Sequence, residues 1–151
     1  MLNYSQATPR TQIPPQISVP LPADYKTIHR FYWYGYNVGH DWLMEYARKH
    51  LGPERSAKVR PIQQLSYARN RLRRKTGIRT LALSIARRDE TTPPNPALTV
   101  MGNICILSIF TAGGSSYRNR PTQAQVDQLT KILGCQPRWW VDGETMESYY
   151  Q

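Results

Sequence analysis

Two alternating apolar runs, joined by a connection too short for a helix, restrict this chain more than any other feature. In residues 78–88, Leu81, Leu83 and Ile85 share one parity, and Thr80, Ala82, Ser84 and Ala86 the other. In residues 99–111 both parities are largely apolar, with Ile104, Ile106 and Phe110 set against Cys105, Leu107 and Ile109. Such alternation suits strands, because successive side chains leave a pleated backbone on opposite faces. Residues 89–96 carry Pro93, Pro94 and Pro96 and read as a connection. A parallel pair needs a crossover that is usually helical, so these two strands are expected to pair antiparallel. The second run, apolar on both faces, is the candidate central strand. The small face of the first suits a position beneath a close-packed helix.

Helical periodicity appears three times. Leu43, Tyr46, Ala47, His50 and Leu51 recur at three- and four-residue spacing in residues 41–51, with Asp41 placed to stabilise the first turn and Gly52-Pro53 to end it. Pro61 opens a second helix with Ile62, Leu65, Ala68 and Leu72 as its apolar stripe, and Gly77 stops it. Pro121 opens a third, with Val126, Leu129, Ile132 and Leu133 on its core face, Gly134 at its end and Pro137 beyond. Ahead of the first helix, Phe31, Tyr32, Trp33 and Tyr34 alternate as on a strand with one deeper face, and Gly35 and Gly39 read as bracketing a turn. Trp139, Trp140 and Val141 form a short strand or an aromatic plug.

Residues 1–24 hold Pro9, Pro14, Pro15, Pro20 and Pro22, which fix the backbone and remove its donors, so this segment reads as an extended or flexible N-terminal arm. Ile13, Ile17, Val19 and Leu21 at odd positions allow it to lie along the domain. Residues 25–151 then make one compact α+β domain: a small antiparallel sheet packed against about three helices, preceded by the Pro-rich arm. A chain of 151 residues suits a single core. Cys105 and Cys135 are too few for a disulfide framework and favour a reducing compartment. No apolar run reaches transmembrane length and no secretory signal is visible, so the sequence points to an intracellular location, cytoplasmic or nuclear. The run from Arg71 to Lys75 resembles a basic import patch.

Charge is where the sequence speaks to function. Residues 48–88 contain thirteen Lys or Arg against a single acid, Glu54, while the remaining seven basic residues and nine acids leave the rest slightly acidic. The formal net charge of +10 is therefore one local positive field, which attracts polyanions. On the second helix Tyr67, Asn70, Arg71 and Arg74 lie opposite the apolar stripe, with Arg73, Lys75 and the following Arg79 at its flanks. Guanidinium groups at helical spacing reach successive phosphates and offer a rigid donor fork to bases. Tyr32, Trp33 or Tyr34 offers a surface on which a base can stack, each stack contributing about 1–3 kcal/mol.

A second candidate is a phosphate loop made of Gly113, Gly114, Ser115, Ser116, Arg118 and Arg120, whose glycines can turn backbone N–H groups toward an anion. It lacks the Lys-Ser or Lys-Thr of a P-loop and the spacing of a dinucleotide fingerprint. His29, His40 and His50 have no compact metal-ligand spacing, and no cofactor motif is found. His40, Asp41 and Glu45 would serve a metal-dependent nuclease only if they converged in a cleft facing the basic helix. The expectation is therefore noncatalytic binding of an acidic macromolecule, RNA or DNA ahead of others. A structural or adaptor protein that binds an acidic protein partner is the alternative. The oligomeric state is left open.

Overall fold

The computed structural model describes residues 14–23, 31–89 and 103–143. Their elements run β1 (Tyr32–Tyr36), α1 (His40–Leu51), α2 (Pro53–Ser56), α3 (Pro61–Thr76), β2 (Ala82–Arg87), β3 (Asn103–Thr111), α4 (Gly114–Arg118), α5 (Gln123–Leu133) and β4 (Arg138–Val141). The four strands form one antiparallel sheet in the order β2-β3-β1-β4, packed against several helices. The α+β architecture is the expected one. The β2–β3 pair is the antiparallel hairpin required by the short connection, and β3, paired on both sides, is a central strand.

Register decides what each face carries. Leu83 lies opposite Leu107, and Tyr36 opposite the same Leu107 from the other side. These residues, with Leu81, join Leu43 and Ala47 of α1, Leu65, Ala68 and Leu72 of α3, and Val126, Leu129 and Leu133 of α5 in the main core. The opposite parity pairs Ser84 with Ile106, Ala86 with Ile104 and Trp33 with Trp140. Ala86, Ile104, Ile106 and Trp140 are buried there as a separate cluster with Trp33 against it. The small face of β2 thus lies away from the helices, correcting the expectation that one covers it. The helices need the larger Leu81 and Leu83 to fill the space between layers.

That second face is enclosed because the sheet curls until its edges touch. Asp142, just past β4, bridges to Ala86 of β2, and the Gly143 N–H donates to the Ile85 carbonyl at 2.9 Å. Further along the same antiparallel direction Arg138 pairs with Asp89 at 2.9 Å. Trp33 Nε1 donates to Asp142 Oδ1 at 3.1 Å, and the Arg138 guanidinium lies 3.3 Å from the centre of the Trp140 ring.

Gly35, expected at a turn, sits inside β1, at a register shift against β3 between Tyr34 and Gly35. A Cβ there would come within 2.4 Å of the Leu107 carbonyl oxygen and 2.7 Å of Ser108 Cα. Both obstacles are backbone, so only glycine allows the strands to approach this closely. The Gly35 carbonyl in turn accepts a hydrogen bond from the buried Trp140 Nε1 at 3.1 Å.

The helices begin and end close to where the sequence puts them. Gly39 caps α1, while Asp41 lies in the first turn as an exposed acid without a capping hydrogen bond. α3 spans the interval between Pro61 and Gly77, and Gly77 adopts φ 76°, the left-handed conformation that closes a helix cheaply only for glycine. Ile62, assigned to the apolar stripe, is 66% exposed; the buried stripe is Gln64, Leu65, Ala68, Leu72 and Thr76. Gln64 is held inside by donating from Nε2 to the Ser56 and Val59 carbonyls. Thr122 caps α5 through a reciprocal capping box with Gln125.

Residues 14–23 lie against the start of α5. Ile17 is buried, its N–H donates to the Pro121 carbonyl at 2.7 Å, and its own carbonyl accepts from Arg120 Nε at 2.9 Å. Val19 packs on the main core, and Trp139 Nε1 donates to the Pro20 carbonyl. Ile13 and residues 24–30 lie outside the described residues.

Gly35→Ala is expected to destabilise the fold by about 3 kcal/mol, since neither backbone neighbour can yield without breaking the β1–β3 ladder. Thermal or urea unfolding of the variant measures this. A change within about 0.5 kcal/mol would mean that the two strands are not held at this spacing.

Candidate nucleic-acid interface

The buried stripe of α3 fixes where its cations go. With Leu65, Ala68, Leu72 and Thr76 turned inward, the helical period divides the remaining side chains into two flanks and an outer ridge. Arg69 and Arg73 fall on one flank. Arg73 Nη2 donates to the Leu81 carbonyl at 2.6 Å, which ties the helix to the entry of β2. Tyr67, Arg71 and Lys75, spaced by four, fall on the other flank. Asn70 and Arg74 occupy the outer ridge, both exposed; Asn70 Oδ1 accepts from Arg69 Nε at 3.3 Å. Arg79, just beyond the helix, is exposed as well.

The seven residues singled out from the sequence are therefore not equivalent. Arg71, Arg74 and Lys75 occupy a flank and the adjoining ridge. Tyr67 is partly buried and packs its ring on the main core. Arg73 is committed at one nitrogen to holding the helix. Among the described residues the ion pairs are Arg48 with Glu45 and Arg138 with Asp89, neither of which draws on α3. Arg71 Nε is also enclosed, with no hydrogen-bond partner among the described residues.

The flank carrying Arg71 and Lys75 adjoins residues of α1 that sequence reasoning missed as a group. His50 is partly exposed at the last turn of α1. Burial, and then the neighbouring charges of Arg71, Lys49 and Lys75, hold its imidazole below the usual histidine value. Its ring lies 4.5 Å from that of Tyr46, which stacks on Trp42 at 5.3 Å and 13° from parallel. The i, i+4 spacing of these three residues was the available signal, but Tyr46 and His50 had been absorbed into the apolar recurrence of the helix.

The aromatic stretch of β1 is used differently. Tyr34 is buried and stacks on Phe110 at 5.0 Å; Trp33 packs on the second cluster. Burial also raises the Tyr34 and Tyr36 hydroxyl pKa values, and Tyr36 Oη is hydrogen-bonded to Thr130 Oγ1 at 2.8 Å. Tyr34 therefore gives up its ring face to the core and offers none to a base.

Of the phosphate-loop residues, Gly114, Ser115, Ser116 and Arg118 fold into the short helix α4, with Gly113 at its N-cap and Arg120 just beyond its end. Ser116 Oγ accepts from the Thr111 N–H at 3.0 Å and lies 2.7 Å from Thr111 Oγ1, while Ser115 is bonded by Asn119 Nδ2. Arg120 donates to the Ile17 and Tyr117 carbonyls and lies 3.9 Å over the Tyr117 ring. Gly113 and Gly114 have positive φ, and Arg118 is exposed, its carbonyl accepting from Gln16 Nε2. Much of this donor set is thus engaged in joining the loop to β3 and to residues 14–23.

Asp41 and Glu45 are exposed, and Glu45 faces Arg48 at 3.6 Å on its own helix. Among the described residues no three His, Cys, Asp or Glu side chains gather to hold a metal ion, and no helix is long and apolar enough to cross a membrane. Cys105 and Cys135 are free and partly buried. Burial pushes the Cys105 thiol up to about 11, so little of it is the thiolate that nucleophilic chemistry requires.

His50 is expected to titrate below 6.5, and Arg71→Ala to move its pKa upward by removing the strongest of the three repelling charges. Imidazole proton shifts followed by NMR across pH test this; an unchanged His50 titration in the variant would separate the two side chains. Comparison with protein-family models, curated proteins and solved structures gives no match to this chain.

Proposed function

We propose that the chain binds an acidic macromolecule, nucleic acid first, through the Arg71–Lys75 flank and outer ridge of α3. The observation that carries this reading is a run of cations without carboxylate partners among the described residues: Arg71, Arg74, Lys75 and, past the helix, Arg79. Tyr67 and Asn70 border the run, and Arg73 anchors it from beneath.

Helix stability accounts for the cations of the last turn but not for the lack of acids between them. Arg73, Arg74 and Lys75 lie in the last turn of α3, where each gains about 0.3–1 kcal/mol from the helix dipole. Against this, Arg71 repels Arg74 and Lys75 at three- and four-residue spacing by about 0.2–0.5 kcal/mol per pair. Interleaved acids would remove that repulsion, yet α3 contains none. A bound polyanion removes it too, and release of condensed counterions then drives association. The reading is one of reversible binding.

The test is affinity for nucleic acid as a function of salt, with the full chain and its Arg71→Ala/Arg74→Ala double variant. Wild-type binding is expected to weaken steeply with salt. The variant, unchanged in circular dichroism, should bind roughly tenfold or more weakly, with the log–log salt slope reduced by about 1.4–1.8. Unchanged affinity and slope would overturn the assignment of the surface. Recovery of one stoichiometric acidic protein after nuclease treatment, with no binding to RNA or DNA, would replace it with the adaptor reading.

A further inference from the structure

A cavity of about 250 Å³ opens between residues 17–20, α5 and the entry to β4, and no residue of α3 lines it. Ile17, Tyr34 and Val126, each 9% exposed or less, form its inner wall, while Gln123, Asp127 and Gln136 are exposed at the mouth. Tyr34 packs its ring against Phe110 and Trp139, yet its hydroxyl has no hydrogen-bond partner among the described residues. A buried tyrosine hydroxyl ordinarily finds one. Tyr36, two positions on, does: its Oη lies 2.8 Å from Thr130 Oγ1. The chain itself holds the wall in place, because the Ile17 N–H donates to the Pro121 carbonyl and Trp139 Nε1 to the Pro20 carbonyl at 2.8 Å. A wall ordered in this way loses little further freedom on binding.

Asp127 is the one charged residue in the lining, and it enters no ion pair among the described residues. Gln123 Nε2 donates to its Oδ1 at 2.8 Å, which leaves Oδ2 as an acceptor at the mouth. A carboxylate only accepts, so the complementary group carries N–H donors and positive charge. The lining has no Lys or Arg to hold an anion. Cavities for drug-sized ligands measure about 300–1,000 Å³, so this smaller space suits a group no larger than one side chain. We infer that the cavity binds an organic cation on a short apolar stem, an alkylammonium or alkylguanidinium. Its donors are shared between Asp127 and the Tyr34 hydroxyl, and its stem lies along Ile17 and Val126. A free amine and a Lys or Arg side chain of another chain carry this chemistry equally.

NMR titration of the full chain at constant ionic strength tests this with n-butylammonium, n-butanol and n-butyrate, which share a stem and differ in charge. Butylammonium is expected to give saturable shifts at the Ser18, Val19, Asp127 and Gln136 amides, with a dissociation constant of about 1–10 mM. Butanol and butyrate should bind at least about fivefold more weakly. Asp127→Asn, at an exposed position that can keep its contact with Gln123, should weaken the amine about three- to tenfold. Tyr34→Phe removes only the hydroxyl, leaves the ring on Phe110 and should weaken the amine about two- to fivefold. A second arm compares N-acetyl-lysinamide with an alanine peptide carrying one lysine. Tighter binding of the peptide assigns the cation to a side chain of another chain, and equal binding assigns it to a free amine.

Butanol or butyrate binding as tightly as butylammonium, or an Asp127→Asn chain that takes the amine as well as wild type, would overturn the assignment. So would shifts confined to residues outside the lining, or none that saturate. The cavity shares no residue with α3, so Arg71→Ala/Arg74→Ala is expected to leave amine binding unchanged while it weakens binding of nucleic acid. Loss of amine binding in that double variant would overturn the site as well.

Discussion

The close approach of β1 to β3 at Gly35 is the constraint on which the rest of the structure rests. Loss of one Cβ lets two backbones come together where any larger residue would meet the Leu107 carbonyl, and the register shifts at that point. Beyond the shift Tyr36 falls opposite Leu107 and enters the helix-side core, while before it Tyr34 falls opposite Phe110 and stacks on it. The Gly35 carbonyl itself receives the Trp140 indole, whose ring lies in the second cluster. One small residue thereby coordinates both cores.

The sheet then determines how α3 is presented. Leu65, Ala68 and Leu72 share the core with Leu107 and Leu129, and Arg73 reaches down to the Leu81 carbonyl. These contacts leave the helix no rotational choice about which cations face outward. α1 is oriented through the same core by Leu43, Ala47 and Leu51, so its Trp42–Tyr46–His50 flank is placed in a fixed relation to Arg71 and Lys75.

Much of this was legible in the residues. The hairpin followed from two alternating runs and too short a connection. Pro61 and Gly77 bounded α3 because each answers a backbone requirement that few other residues meet. The failures have equally local causes. Ile62 satisfied the period of the apolar stripe but lies in the first turn, where the core had already been filled by Leu65 and the inward-held Gln64. Gly35 looked like a turn because a bulge and a turn ask for the same residue. The stacked rings of Trp42, Tyr46 and His50 were hidden because their i, i+4 spacing also satisfies an apolar stripe. α4 escaped notice since its Gly-Ser-Ser start has poor helix propensity and is fixed instead by Ser116 and Asn119.

The joining of the sheet's margins at Ala86 and Asp142 has a consequence for how crowded molecules of this protein behave. An outermost strand ordinarily exposes unmatched amides and carbonyls that a second chain can copy, the route to fibrils and precipitates. Here the Ile85 carbonyl is already occupied by the Gly143 amide, and Arg138 and Asp89 mark the same border with charge. Crowded copies of the chain therefore meet at this border with that template closed.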